Sequence, residues 1–155
     1  MFDFITKLFR PKQQEPLPTL ADPLFGPLVY FPAAELWSGS VRFEPVEREV
    51  EILIEANASG PGETQRAFFG ELASRWPDVQ NAIGEILFPP MKKWAKADYD
   101  ENNLWAYFDL RGIRIPSLTT EPAEWAISYW CPQVKHHFDI QMSGWTPESL
   151  NISRK

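Results

Sequence analysis

Two blocks of strand-patterned sequence flank a helical middle, and this order constrains the fold more than any other feature of the chain. The first block runs from Phe25 to Ala56 and the second from Leu104 to Ser143, while Glu63 to Tyr99 between them reads as helix. Parallel neighbours need a crossover, usually a helix, between successive strands, whereas a run of strands pairs through hairpins. The expectation is an α+β domain with an antiparallel sheet of about six strands, in β-β-β-α-α-β-β-β order, with the helices packed on one face.

Within the first block, Leu24 to Phe31 is an apolar strand whose Pro27 suggests an edge position or a bulge. Pro32 to Leu36 turn the chain into Trp37-Ser38-Gly39-Ser40, after which Val41 and Phe43 alternate with Arg42 and Glu44. Pro45-Val46-Glu47 is a turn candidate. Arg48 to Ala56 then places Val50, Ile52, Ile54 and Ala56 on one face and Glu49, Glu51, Leu53 and Glu55 on the other. That second face is strongly acidic. A solvated sheet face explains it, and so does a docking strip for a basic partner.

The middle changes period. Phe68, Leu72, Ala73 and Trp76 recur at helical spacing, with Phe69 widening the stripe. Pro77 suits the first turn of a second helix whose apolar face is Val79, Ile83, Ile86 and Leu87. Pro89-Pro90 is expected to break that helix, with a short further one over Met91–Ala97. The second block alternates again. Leu104, Ala106, Phe108 and Leu110 share a face, Gly112 permits a bulge, and Ile113 and Ile115 resume out of phase. Trp125, Ile127, Tyr129 and Cys131 form the next apolar row, then His136, Phe138, Ile140 and Met142, with Leu150 to Ser153 as a short tail strand.

The ends read differently. Residues 1–21 are expected to be a leader and a proline-rich linker, and residues 22–155 a single domain of ordinary size. In the leader, Phe2, Ile5, Leu8 and Phe9 would share one helical face with Lys7 and Arg10 towards the other. Such a segment suits contact with a membrane or a partner. Isolated short helices are marginal in water, so the reading adopted is a leader that docks on the domain or frays. Its charge follows the apolar residues rather than preceding them, which is the wrong order for a signal peptide. Cys131 is the single cysteine, which excludes an internal disulfide and makes a cytoplasmic protein the simplest expectation.

Few residues carry obvious chemistry. His137 and Asp139 lie two apart on a strand and could reach one metal, though spacing supplies no third ligand. Cys131 sits in an aromatic strand with nothing near it in sequence to activate the thiol. Gly60-Pro61-Gly62 precedes a helix but has neither the glycine spacing nor the lysine of a phosphate loop. The net charge of −6 opposes a nucleic-acid groove, although Trp105, Tyr107 and Trp130 could in principle stack bases. No catalytic residue and no cofactor are expected from these patterns.

The run Asp22-Pro23-Leu24-Phe25-Gly26-Pro27-Leu28-Val29-Tyr30, followed by Trp37-Ser38-Gly39-Ser40-Val41, resembles the opening of several small bacterial α+β families. A helix bearing Gln and Phe, here Gln65 and Phe68, and a closing meander with a late His, here His136 or His137, belong to the same pattern. Some members are similar to immunity proteins encoded beside polymorphic toxins. The resemblance implies a non-catalytic protein-binding module, with a basic toxin as partner. Glu47, Glu49, Glu51 and Glu55 would supply the charge, with Trp105, Tyr107 and Trp130 as anchors. The alternatives are a small metal-dependent hydrolase using His137 and Asp139, and a purely structural domain.

Overall fold

A computed structural model describes residues 15–154. Eight strands form one sheet in the spatial order of the chain itself: β1 (Thr19–Asp22), β2 (Gly26–Phe31), β3 (Leu36–Phe43), β4 (Arg48–Glu55), β5 (Asp109–Ile115), β6 (Glu124–Cys131), β7 (His136–Ser143) and β8 (Thr146–Arg154). Two helices, α1 (Glu63–Ser74) and α2 (Trp76–Ala95), link β4 to β5. Every neighbouring pair is antiparallel except β4 and β5, which run parallel.

The α+β character holds, but the expected six-stranded antiparallel sheet is corrected to an eight-stranded mixed one. The reason for the parallel pair is the helical middle itself. After β4 the chain travels back along the sheet through α1 and α2, so β5 must start at the same end as β4 did. The additional strands are β1, which begins inside the segment read as linker, and β8, which runs well beyond the short tail strand expected. With β1 paired to it, β2 is internal and Pro27 lies opposite Ala21 near the start of the ladder. The leader residues 1–14 lie outside the described residues.

Two local expectations also change. Leu104–Tyr107 is a 3-10 turn rather than the start of a strand, because Trp105 packs edge-on against Phe88 of α2 at 5.0 Å and draws the backbone out of the sheet. Pro89 and Pro90 sit inside α2, which continues to Ala95. Two prolines withhold two donors, from the carbonyls of Glu85 and Ile86. Beyond them, Met91 is fully buried and Trp94 stacks on His136 at 4.5 Å, so tertiary packing keeps the last turns helical. The bulge expected at Gly112 is present as a register shift between Leu110 and Gly112.

One core sits between the helices and one face of the sheet. Leu28, Trp37, Ile52, Ile113, Ile127, Tyr129, Phe138 and Ile140 project from the strands to meet Phe68, Phe69, Leu72, Val79, Ile83 and Leu87 from the helices. Aromatic edges lock the layers: Phe43 meets Trp76 at 5.0 Å, and Phe68 meets Trp125 at 5.4 Å. Two polar residues are buried with this core, and each joins distant segments. The Gln65 amide donates to the carbonyls of Glu55 and Pro116, both at 2.8 Å, while its oxygen accepts from the Gly62 N–H at 3.0 Å. One side chain thereby ties the end of β4, the end of β5 and the start of α1.

Asp22 is the second. Its carboxylate accepts from the backbone N–H groups of Leu24 and Phe25, which close the β1–β2 turn, and from Arg66 of α1 at 2.8 and 3.0 Å. Burial alone would raise this carboxyl, but the Arg66 and backbone hydrogen bonds outweigh burial and hold it below its ordinary value of 3.8.

Gln65→Ala leaves two partly buried carbonyls without this donor, so urea unfolding should show a loss of about 1–3 kcal/mol. The Asp22 contribution has a defined pH window. A carboxyl lowered in the folded state stabilises fully above its unfolded value, and the effect is lost as pH falls through the folded one. Wild type should therefore lose stability steeply below about pH 4, and Asp22→Asn should be weaker at neutral pH with a flatter acid limb in denaturation series.

Candidate functional surface on the open face of the sheet

The helices cover one face of the sheet, and no described element covers the other. Register sets out what lies there. One transverse row reads Ser40, Glu51, Gly112, Ser128, Asp139 and Asn151 from β3 to β8. The adjacent row reads Ser38, Leu53, Arg114, Ala126, Gln141 and Ser149. Small residues at Gly112, Ala126 and Ser128 leave the middle of the face low. Three adjoining depressions of about 270–300 Å³ meet at Ala126, edged by Glu51, Glu55, Arg111, Arg114, Asp139 and Gln141.

The electrostatics differ from those of an acidic strip. Glu47, Glu49 and Glu51 are exposed, Glu47 from a tight turn with φ of 52° and the other two from β4. Glu49 accepts from the Ser40 hydroxyl at 3.1 Å. Glu55 is held by Arg114, whose Nε lies 3.0 Å from the carboxylate, and Arg42 lies opposite Glu49 in the ladder. The β4–β5 parallel pair thus lays Arg111 and Arg114 beside the glutamates. The face is a mixed-charge surface rather than a single-sign one, a pattern that selects partners by complementary placement of charge.

The expected anchors divide between the two sides. Trp130 lies on the open face, half-buried, its ring centroid 4.6 Å from that of His137. Trp105 and Tyr107 belong to the helical layer. Trp105 packs among Phe88, Phe108 and Tyr129, and the Tyr107 hydroxyl accepts from the Asp100 N–H at 2.6 Å. His137 and Asp139 do share the open face, where Asp139 accepts a short hydrogen bond from Ser128. Among the described residues no three His, Cys, Asp or Glu side chains converge in a way that could hold a metal ion. His136 is a half-buried residue under Trp94, with Nδ1 bonded to the Val134 carbonyl. Burial pushes the Cys131 thiol up, away from a reactive thiolate.

The residues missed by sequence reasoning are Arg111, Arg114, Ala126, Ser128 and Gln141. Alternation along β6 and β7 turns Ala126, Ser128 and Gln141 outward, the β5 bulge between Leu110 and Gly112 leaves both Arg111 and Arg114 on that side, and only the pairing order places them next to β4. Beneath the helical layer, a cavity of about 200 Å³ is lined by Val46, Arg48, Trp76, Gln80, Trp105, Phe108, Leu110 and Tyr129. The Tyr129 hydroxyl is buried with no hydrogen-bond partner among the described residues, and burial raises its pKa well above the ordinary range. Among the described residues no helix is long and apolar enough to cross a membrane.

Compared with family models, with curated proteins and with solved structures, the chain finds no match.

Because the Tyr129 hydroxyl has no partner to lose, Tyr129→Phe should leave stability unchanged or raise it by up to about 1 kcal/mol in thermal unfolding. A clear loss instead would show that the hydroxyl is bonded in solution.

Proposed function

We propose that this protein is a non-catalytic protein-binding module that docks its partner on the open face of the sheet. The observation that carries the reading is that this face, uncovered by any described element, combines mixed charge with the half-buried Leu53 and Trp130 around a shallow trough. Docking surfaces of this type take their energy from a few apolar and aromatic anchors and their selectivity from the surrounding charge.

The finer reading is an immunity protein that neutralises a cognate toxin by covering its working surface. Its support is the opening pattern from Asp22 to Val41, together with a net charge of −6, which steers a basic partner inward. Glu47, Glu49 and Glu51 remain available for that steering, because Glu55 is already engaged by Arg114.

The test is association kinetics with the partner captured from the native cell on the immobilised full chain. Glu49→Lys with Glu51→Lys should slow association roughly tenfold at low salt, with the difference shrinking as salt rises. Glu85→Lys, exposed on α2 of the opposite layer, should leave the rate unchanged. Equal rates for all three proteins would remove the open face as the docking surface.

A further inference from the structure

The two edges of the sheet are not equally protected. β1 is four residues long and follows Pro16 and Pro18, the short, proline-flanked form that discourages further pairing. β8 is nine residues long, and no described strand pairs with its outer edge. Its proline, Pro147, stands near the start of the strand, opposite Met142 at the register shift. From Ser149 to Arg154 the strand is regular and contains neither proline nor lysine, while Glu148 is the bulged residue between Pro147 and Ser149. A long regular edge of this kind is a template for another strand.

We infer that the partner of this edge is a second copy of the same chain, with β8 pairing antiparallel to β8 about a two-fold axis through Asn151. The edge of β8 is self-complementary in that register. About that axis Ser149 faces Ser153 of the second copy, Leu150 faces Ile152, and Asn151 faces its own counterpart, while Glu148, at the bulge just beyond, comes to the same end as Arg154 of the second copy. From Ser149 to Ser153 every position meets a chemically matched one, hydroxyls, apolar side chains and amides in turn, and opposite charges meet at the ends. Directly opposed cross-strand side chains are the contacts that stabilise a ladder.

Other registers fail on the same residues. An axis through Leu150 sets Ser149 against Asn151 and leaves Ile152 facing the bulge at Glu148, and one through Ile152 sets Leu150 against Arg154. An axis between Leu150 and Asn151 opposes core-facing to solvent-facing residues and turns the two helical layers to opposite sides. With the axis at Asn151 the helical layers share a side. Leu150 and Ile152, which pack only in part against their own core, then complete their burial against each other. Trp94, 43% exposed, stacks on His136, the β7 residue paired with Arg154, so an exposed aromatic stands beside the seam. On the open side, the polar row ending at Asn151 continues without a break into the second copy.

The experiment is sedimentation velocity on the full chain across a concentration series, with light scattering to fix the mass. The expected result is a species of twice the 17.9 kDa chain mass at high concentration. Glu148→Arg and Arg154→Glu should each shift the protein to monomer, and the two together should restore the dimer. Both residues are exposed, so circular dichroism should show an unchanged fold. Asn151→Cys should cross-link to its own copy under mild oxidation while Ser149→Cys does not, the native Cys131 being buried. A chain that stays monomeric into the millimolar range overturns the inference. So does a dimer that ignores the charge reversals and leaves Asn151→Cys uncross-linked.

Discussion

The buried amide of Gln65 holds the point on which the rest of the molecule depends. The sheet is a simple up-and-down meander everywhere except between β4 and β5, where the chain leaves for two helices and returns parallel. A parallel junction cannot be closed by a hairpin, so its ends need another source of order. Gln65 supplies it by bonding the last carbonyl of β4 and the carbonyl just past β5 while anchoring its own helix start. All of its donor capacity is used inside the core, where a lost partner is costly. Asp22 and Arg66, the residue next to Gln65, do a related task, fixing the first hairpin to the same helix.

From this junction follows the character of the open face. Had the two strand blocks met antiparallel, β4 would have had different neighbours and its glutamates a different setting. In parallel register Glu51 lies beside Gly112 and Leu53 beside Arg114, so the arginines of β5 interleave with the acids of β4. Gly112, Ala126 and Ser128 then form a low centre because three small residues from two strands fall together. The surface is therefore shaped by backbone pairing more than by any local motif, which accounts for the absence of a compact signature in the sequence.

The aromatic content works mainly on the other side. Of the rings expected to anchor a partner, Trp105 and Tyr107 serve the helical layer, and Trp130 alone is on the open face. A period-two pattern cannot tell a strand from a 3-10 turn when the segment is as aromatic as Leu104 to Phe108. Packing against Phe88 decided the matter. Likewise, two adjacent prolines weaken a helix locally, yet α2 continues because Met91 and Trp94 have places to go.

Sequence alone settled which residues face inward. Alternation in Val50 to Ile54, in Trp125 to Cys131 and in Phe138 to Met142 assigns the core faces, and the stripe from Phe68 to Leu72 assigns the helical one. This works because burial of apolar surface acts residue by residue and leaves a period. The tertiary structure decided the neighbours: which strand follows which, that one pair is parallel, and that Arg114 sits against Glu55. Pairing order depends on long-range closure through α1 and α2, and on hydrogen bonds such as those of Gln65 that link residues far apart in the chain. No local period records that, so the charge pattern of the open face existed only once the sheet was assembled.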